Sequence, residues 1–582
     1  MILPLGRAWT YASALQAQGP LGVRSSLDGR LPVSRTSRLT LSTELPATSQ
    51  VHDTYDTIVV GSGNGACGFL SECYKNDRTP PKRVLVLEAG PDFFSTSDVS
   101  HQDNWTKSYS EKRVFRLFKA VTEYGAPIIS GRAVCMGGGG SINYTMIHES
   151  STWLVNHLGN TMAYWDDLKE SMNHLFNRRI PTPGKSSKVT QLVTDNAAEH
   201  GFGINTDYTR GIPNLEEEPH GKEGLISLFP TQFNVFGQRV HSGVSLVNWK
   251  QPNLSEDEEK PGPGPELRTR TTVTSLLWEE STLEGQPVRC RGVKTQNTLT
   301  GEEETIFLAP WTSAKGIDGK VILCSGAVGS SRLLWKDRGA LANPEIGQHL
   351  TDHIVIPLGI YLAKPGLEIT GRDTYVPLFA TSFQQDVVAN WDFFSGAFRN
   401  LIYLVSHFFL AFLPNIFKKL LTKSPEAWFV TTNTLRWLLD ALNFFLVLFA
   451  PTNEIELVTS IVKFNPAVDG CLTGEDGDGV TLGFFADVDG KNPDKELAKR
   501  VIKEKMKFIS SLGAEPPLVV KFLIRLITGI PYTEKQVDGY VERYSKHFLL
   551  SEQHIAGGLV RGKASDWHGK VRAPSPAQAC LM

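Results

Sequence analysis

An α/β fold is predicted, on three observations. Tyr55-Asp56-Thr57-Ile58-Val59-Val60 is a short β-branched run that reads as a buried strand, and Arg83-Val84-Leu85-Val86-Leu87-Glu88 is a second. Between them lie a glycine turn and a stretch, ending near Asn76, that can form one helix. Strand, turn, helix and strand within about 35 residues make a βαβ unit with a right-handed crossover. Far downstream, Lys320-Val321-Ile322-Leu323-Cys324 reads as another buried strand, ending in Ser325-Gly326-Ala327.

With 582 residues, two to four domains are expected. Lys and Arg number 59 against 61 Asp and Glu, a formal net charge of −2, so no global basic field points to nucleic acid. The 41% hydrophobic content suffices for large cores, and 21% charge excludes a wholly disordered chain. The 52 Gly and 33 Pro suit a loop-rich α/β enzyme. Seven cysteines without C-x-x-C spacing are too scattered for a disulfide framework or a zinc site, so no metal centre is expected.

Residues 1–52 are rich in Arg, Ser and Thr and poor in acids, a composition shared by organellar transit peptides and disordered tails. Ser255–Glu266 joins an acidic run to alternating Pro and Gly and reads as a solvated loop. Thr271–Trp278 and Val288–Gln296 alternate like paired strands. Leu401–Phe417 carries no Asp, Glu, Lys or Arg over 17 positions, and Trp437–Ala450 is a second apolar stretch broken by Asp440 and Asn443. Both are short of the roughly 20 residues a bilayer span needs. They are expected as buried core helices or as a peripheral membrane contact across 401–450.

Gly61-Ser62-Gly63-Asn64-Gly65-Ala66 fits G-x-G-x-x-G/A, directly after a strand and opening a helix. Gly61 permits the tight turn, Gly63 lets backbone approach a pyrophosphate, and Ala66 lets helix and strand pack closely. The helix N-terminus offers free N–H groups and a partial positive charge. Glu88, 22 residues beyond Ala66 and followed by Ala89, can accept ribose hydroxyls, which favours FAD or NAD over a 2′-phosphorylated cofactor. A second cluster, Met136-Gly137-Gly138-Gly139-Gly140-Ser141-Ile142-Asn143, is by itself a flexible loop, yet its bare backbone could lie flat against a planar ring.

These motifs, in this order, resemble the glucose-methanol-choline oxidoreductases, which are FAD enzymes. Asp56–Ala66 and Val84–Gly90 are similar to their nucleotide-binding unit. Gly137–Asn143 is similar to their first signature, in the glycine-rich form of sterol and long-chain alcohol oxidases. Asn253-Leu254 and then Val273 resemble the strand that meets the adenine end. Ser325–Leu334 resembles the second signature, with Ser331 where Pro is usual, and Gly347–His353 the segment leading into the substrate domain. The resemblance implies a Rossmann-like FAD-binding domain over 53–350, with insertions contributing to the substrate domain. It also implies an α+β substrate-binding domain with an antiparallel sheet over 351–550, and a partial return to the first domain over 551–582. Gly61 to Ala66, Glu88, Ala89, Gly137, Gly138, Gly139, Asn143 and Val273 are the implied cofactor contacts.

Ser551-Glu552-Gln553-His554 is similar to the family's catalytic segment, which makes His554 the candidate base for an alcohol whose hydride passes to flavin N5. An imidazole, with a pKa near 6.5, can take up and release that proton at neutral pH. From the residues alone, His554 is as readily structural. Here the chain departs from the pattern. Only 28 residues follow His554, His568 comes too soon to be the usual partner, and 573–582 reads as unstructured. A truncated product, lacking the second catalytic group, is the expectation.

The expected activity is oxidation of an alcohol to an aldehyde or ketone, with oxygen or a quinone as electron acceptor and, given the apolar inserts, a lipophilic substrate. A non-catalytic flavin-binding remnant and a flavin-dependent lyase are the alternatives.

Overall fold

The computed structural model describes residues 54–76, 83–92, 113–143, 195, 198–205, 225–228, 241–247, 264–279, 289–310, 319–339, 341, 343–363, 378–384, 387–397, 410, 412–421, 424–449, 456–514, 518–551, 553–566 and 570–571. The readings of residues 1–52, Asn253-Leu254, most of the 255–266 loop, 401–409, His568 and 573–582 lie outside these.

A four-stranded parallel sheet runs in the order Glu266–Arg268, Val84–Leu87, Thr57–Val60, Lys320–Leu323. The two central strands are buried at every position, as β-branched runs in a parallel sheet must be. Their side chains alternate between faces. Val59, Val84 and Val86 pack with Ala66 and Leu70 of the helix Asn64–Asn76. Ile58, Val60, Leu85 and Leu87 pack on the opposite face with Val273, Leu276, Val293 and Ile306. Those partners belong to an antiparallel meander of Thr271–Glu279, Arg289–Asn297 and Glu303–Leu308, extended by Thr54–Tyr55. The expected hairpin is thus present.

Two expectations shift at the sheet's edges. Lys320–Leu323 is only half-buried, because it is the outermost strand and has a neighbour on one side alone. Glu266–Arg268, read as the end of a loop, covers the opposite edge in parallel register with Leu85–Leu87. Three residues are too few to carry a strand pattern in sequence, yet they satisfy backbone groups an open edge would expose.

The second large element is an eight-stranded sheet, antiparallel at every pairing except Gly203–Asn205 with Leu225–Leu228. Its strand Ile354–Ala363 packs under the helices Pro493–Leu512 and Glu534–His547 through Ile354, Ile356 and Leu358 against Val501, Ile502, Val537 and Val541. The buried Tyr540 and Tyr544 hydroxyls donate to the carbonyls of Pro357 and Val355, so burial leaves neither phenol unsatisfied. Leu550–Ser551 pairs with Ile354–Val355, which carries the chain leading to His554 to the start of that strand. A five-stranded sheet, ordered Gln348–Leu350, Gly470–Thr473, Gly479–Leu482, Lys119–Thr122, Pro127–Ile128, completes the described strands apart from a short ribbon, Phe115–Leu117 with Gly131–Ala133.

The apolar inserts resolve differently from each other. Leu410 and Phe412 are buried, and after Pro414 the helix Asn415–Leu421 begins. Trp437 onward belongs to the long helix Pro425–Phe449, which keeps Trp437, Leu438 and Phe444 exposed. Among the described residues no helix is long and apolar enough to cross a membrane.

Candidate active site

Three glycine-dependent contacts draw the cofactor motifs together. Gly61 has φ +98°, and a Cβ there would lie 2.5 Å from the Cys324 carbonyl oxygen, so the turn passes against the end of the neighbouring strand only as glycine. A Cβ on Gly138 would stand 3.0 Å from Gly63 Cα: the two glycine clusters, about 75 residues apart, touch backbone to backbone. A Cβ on Gly90 would fall 1.9 Å from the Val134 carbonyl oxygen, so the segment after Glu88 is pressed against the approach to the second cluster.

One hydrogen-bond chain runs through all three motifs. The Gly137 N–H donates to Ser62 Oγ (3.1 Å), and the Ser62 hydroxyl donates to Glu88 Oε2 (2.6 Å). The same oxygen accepts the Ser62 N–H, while Oε1 accepts the Gly90 N–H (2.9 Å). Glu88 is buried. Desolvation pushes its carboxyl above the usual range, and the bonds from Ser62 and Gly90 and the Arg132 charge pull the other way. A carboxylate has about four lone-pair sites, so three donors leave acceptor capacity for a ribose hydroxyl.

The remaining sequence-predicted contacts surround this chain. Asn64 opens the helix, and its Oδ1 would lie 2.9 Å from a Cβ on Gly140. Gly65 backs onto Cys324, Ala66 is buried beneath the turn, and Ala89 is half-buried beside Glu88. Gly139 faces open space, and Asn143 donates its N–H to the Gly139 carbonyl (2.8 Å). Val273 is buried in a strand joined to this corner by the Thr271 N–H to the Glu88 carbonyl and the Arg270 N–H to the Gly90 carbonyl, each 2.8 Å.

Two residues at the cradle lay outside the sequence reading. His241 is buried with Nδ1 2.9 Å from Ser141 Oγ and 3.3 Å from the Gly243 N–H, so its ring braces the second cluster. Nothing local in sequence marks it. Arg132, just before the second cluster, has its pKa lowered to about 10 by burial and by the charges of Arg332 and Arg116. A guanidinium keeps its proton regardless. Its charge is felt by Glu88, so it adds a cation to the electrostatics of the cradle, as a diphosphate requires. That charge, the bare backbone at Gly63 and Gly138, and the buried carboxylate suit the adenosine diphosphate half of FAD.

His554 stands at a second corner. Its segment is clamped to 347–353 by the Thr351 and Ala556 N–H groups, each donating to the other's carbonyl, and by the Gly347 N–H to the Gly558 carbonyl. Gly557 has φ +91°, and a Cβ there would lie 1.9 Å from the His349 carbonyl oxygen. Ser331, the departure from the second signature, packs under Gly558, whose Cβ would meet its Oγ at 2.2 Å.

Buried Asp352 organises this corner. Its carboxylate accepts the backbone N–H of His353 (2.7 Å), that of His554 (3.1 Å), and the Ser551 hydroxyl (2.5 Å). The His353 and His554 rings meet edge to face, centroids 5.8 Å apart at 78°. The sequence reading expected no second group; the structure sets an imidazole from 201 residues upstream next to the first. His554 is exposed, so a substrate could reach it. Ser551 Oγ also bonds Ser130 Oγ, and from Ser130 the chain runs through Arg132 to Gly137, linking the two corners.

No family model matches the sequence. Among solved structures, the chain is similar to a pyridoxine 4-oxidase from Mesorbium loti at 15% identity, over 89% of this chain and 91% of that one, with a TM-score of 0.55. It is likewise similar to a formate oxidase from Aspergillus oryzae RIB40, solved for the effect of a mutation on FAD modification, at 14% identity over 90% and 92%, with a TM-score of 0.56. These likenesses, spanning most of each chain, show that the protein has the fold of those oxidases.

Proposed function

We propose that the protein is an FAD-dependent oxidoreductase acting on CH–OH groups, of the kind the sequence resemblance implies. The observation carrying this is the Gly137–Ser62–Glu88 hydrogen-bond chain, which joins turn, acid and second glycine cluster into one cradle. Glu88 would hold the ribose, the N–H groups opening the helix at Asn64 the pyrophosphate, and the segment from Gly137 to Asn143 the ring system. Bound there, the flavin would supply the acceptor for a hydride from the alcohol carbon.

The protein's own residues handle the proton. His554 accepts it from the substrate hydroxyl as the C–H bond breaks, leaving a carbonyl, and later releases it to solvent. Asp352 holds His554 and His353 by their backbones. His353, in this reading, donates the second hydrogen bond, to the hydroxyl oxygen, and so orients it. The apolar inserts favour a lipophilic alcohol, and oxygen or a quinone completes the turnover.

The test is anaerobic flavin bleaching with a fatty alcohol, a sterol, an aryl alcohol and glucose. Bleaching by the first two and loss of it in His554→Ala is the expected result. A yellow protein that no alcohol bleaches would overturn the reading.

A further inference from the structure

Among the described residues, ten of the thirteen most exposed large apolar side chains fall on three helices. On Leu518–Thr528 they are Leu518, Phe522 and Leu526, one stripe at i, i+4 and i+8, with Leu518 82% and Phe522 63% exposed. On Asn415–Leu421 they are Ile416, Phe417 and Leu420. The long helix Pro425–Phe449 adds Trp437, 66% exposed, and Phe444.

The two shorter helices flank the same end of Glu534–His547. Asn415 Nδ2 donates to the Lys546 carbonyl, and the buried Lys418 donates to that of His547. Gly529, just past the other helix, lies against Arg543, whose guanidinium sits over Phe548, and Phe548 in turn packs on Phe412. Both apolar stripes therefore border one region around residues 543–548.

The charge accompanying them has one sign. Asn415–Leu421 and Leu518–Thr528 contain no acid; Lys419 and Arg525 are exposed, whereas Lys418 is buried and Lys521 Nζ lies 4.9 Å over the Tyr532 ring. Arg525, exposed and one residue before Leu526 on the helix, projects beside the Leu518–Phe522–Leu526 stripe. A second copy docked here about a two-fold axis would set these cations against their own images. An anionic bilayer meets both features: acyl chains receive the apolar ridge while headgroups receive the ammonium and guanidinium groups.

We infer that the face formed by Leu518–Thr528 and Asn415–Leu421 is a monotopic docking surface for membranes containing anionic phospholipid. Docking is independent of flavin chemistry, and it extends the membrane contact expected at 401–450 to a helix outside that range.

The test is co-sedimentation of the full-length protein with vesicles of phosphatidylcholine, alone or with added phosphatidylserine, at low and high salt. The parent should pellet with the serine-containing vesicles and be released as salt screens the attraction. The variant Leu518→Gln/Phe522→Gln/Leu526→Gln should lose on the order of tenfold or more in partitioning. Lys419→Glu/Arg525→Glu should abolish the preference for phosphatidylserine and, both positions being exposed, serves if the triple variant does not fold. A parent that stays in the supernatant with both vesicles overturns the inference. So does equal pelleting of parent and charge variant, or a concentration-dependent dimer that the charge variant disperses without any vesicle binding.

Discussion

Glu88 and His554 are held in opposite ways. The carboxylate is buried with both oxygens hydrogen-bonded, in a corner where glycine backbones touch and a single methyl would collide with a carbonyl. The imidazole is exposed and held through its backbone N–H by Asp352, with a second ring edge-on to it. The first corner is specified by volume, as a site that must fit a rigid group closely. The second is specified by the placement of two imidazole rings, as the proposed proton transfer requires. Disturbing the first should therefore cost binding and stability together. Disturbing the rings of the second, but not the carboxylate beneath them, should cost rate alone.

The largest expected effect separates the two directly. His554→Ala should lower turnover by about a hundred- to ten-thousand-fold while melting temperature and flavin content stay at the parent values. Loss of flavin in that variant would break the distinction. Next, Gly90→Ala places a Cβ 1.9 Å from the Val134 carbonyl oxygen and should destabilise by about 3 kcal/mol, with flavin lost in parallel, as denaturant unfolding and the absorption spectrum would show. Asp352→Asn sharpens the second corner. An amide cannot accept all three donors, so about 1.5–3 kcal/mol of stability should go, and His353→Asn alone should alter the pH profile of turnover without that loss. Glu88→Gln keeps shape but removes charge and should weaken FAD binding by roughly tenfold, since charge-assisted bonds are worth more than neutral ones.

The smallest effect concerns Lys418, buried far from either corner in sequence and donating to the His547 carbonyl. Desolvation lowers its pKa from 10.5 to about 7. Folding therefore opposes its charged form: the penalty is full below pH 7 and fades as pH rises from 7 towards the unfolded value. Lys418→Met should raise the melting temperature relative to the parent most at pH 6, and the gain should shrink by pH 9.

The cradle was legible in sequence because its demands are local. A turn at positive φ and a close backbone approach both call for glycine, and Gly61, Gly63, Gly137 and Gly138 stand where each is needed. The central parallel strands Thr57–Val60 and Val84–Leu87 were legible for the same reason, as short unbroken runs of Val, Ile and Leu after Thr57. What escaped depends on distance along the chain. His241 braces the second cluster from 100 residues away, and His353 meets His554 only because Leu550–Ser551 pairs with Ile354–Val355. Short edge strands such as Glu266–Arg268 have too few residues to show a period. The stripe Leu518, Phe522, Leu526 did carry a signal, a helical repeat interleaved with cations, but it reads the same as a core helix until its exposure is known.

The measurement that bears most directly on the cradle is a titration of the purified full-length protein with FAD, FMN and adenosine diphosphate, followed by flavin fluorescence. Saturable FAD binding that adenosine diphosphate displaces, with FMN binding far more weakly, is what contacts through Glu88 and the Asn64 helix end predict. Equal binding of FMN, or indifference to adenosine diphosphate, would contradict them.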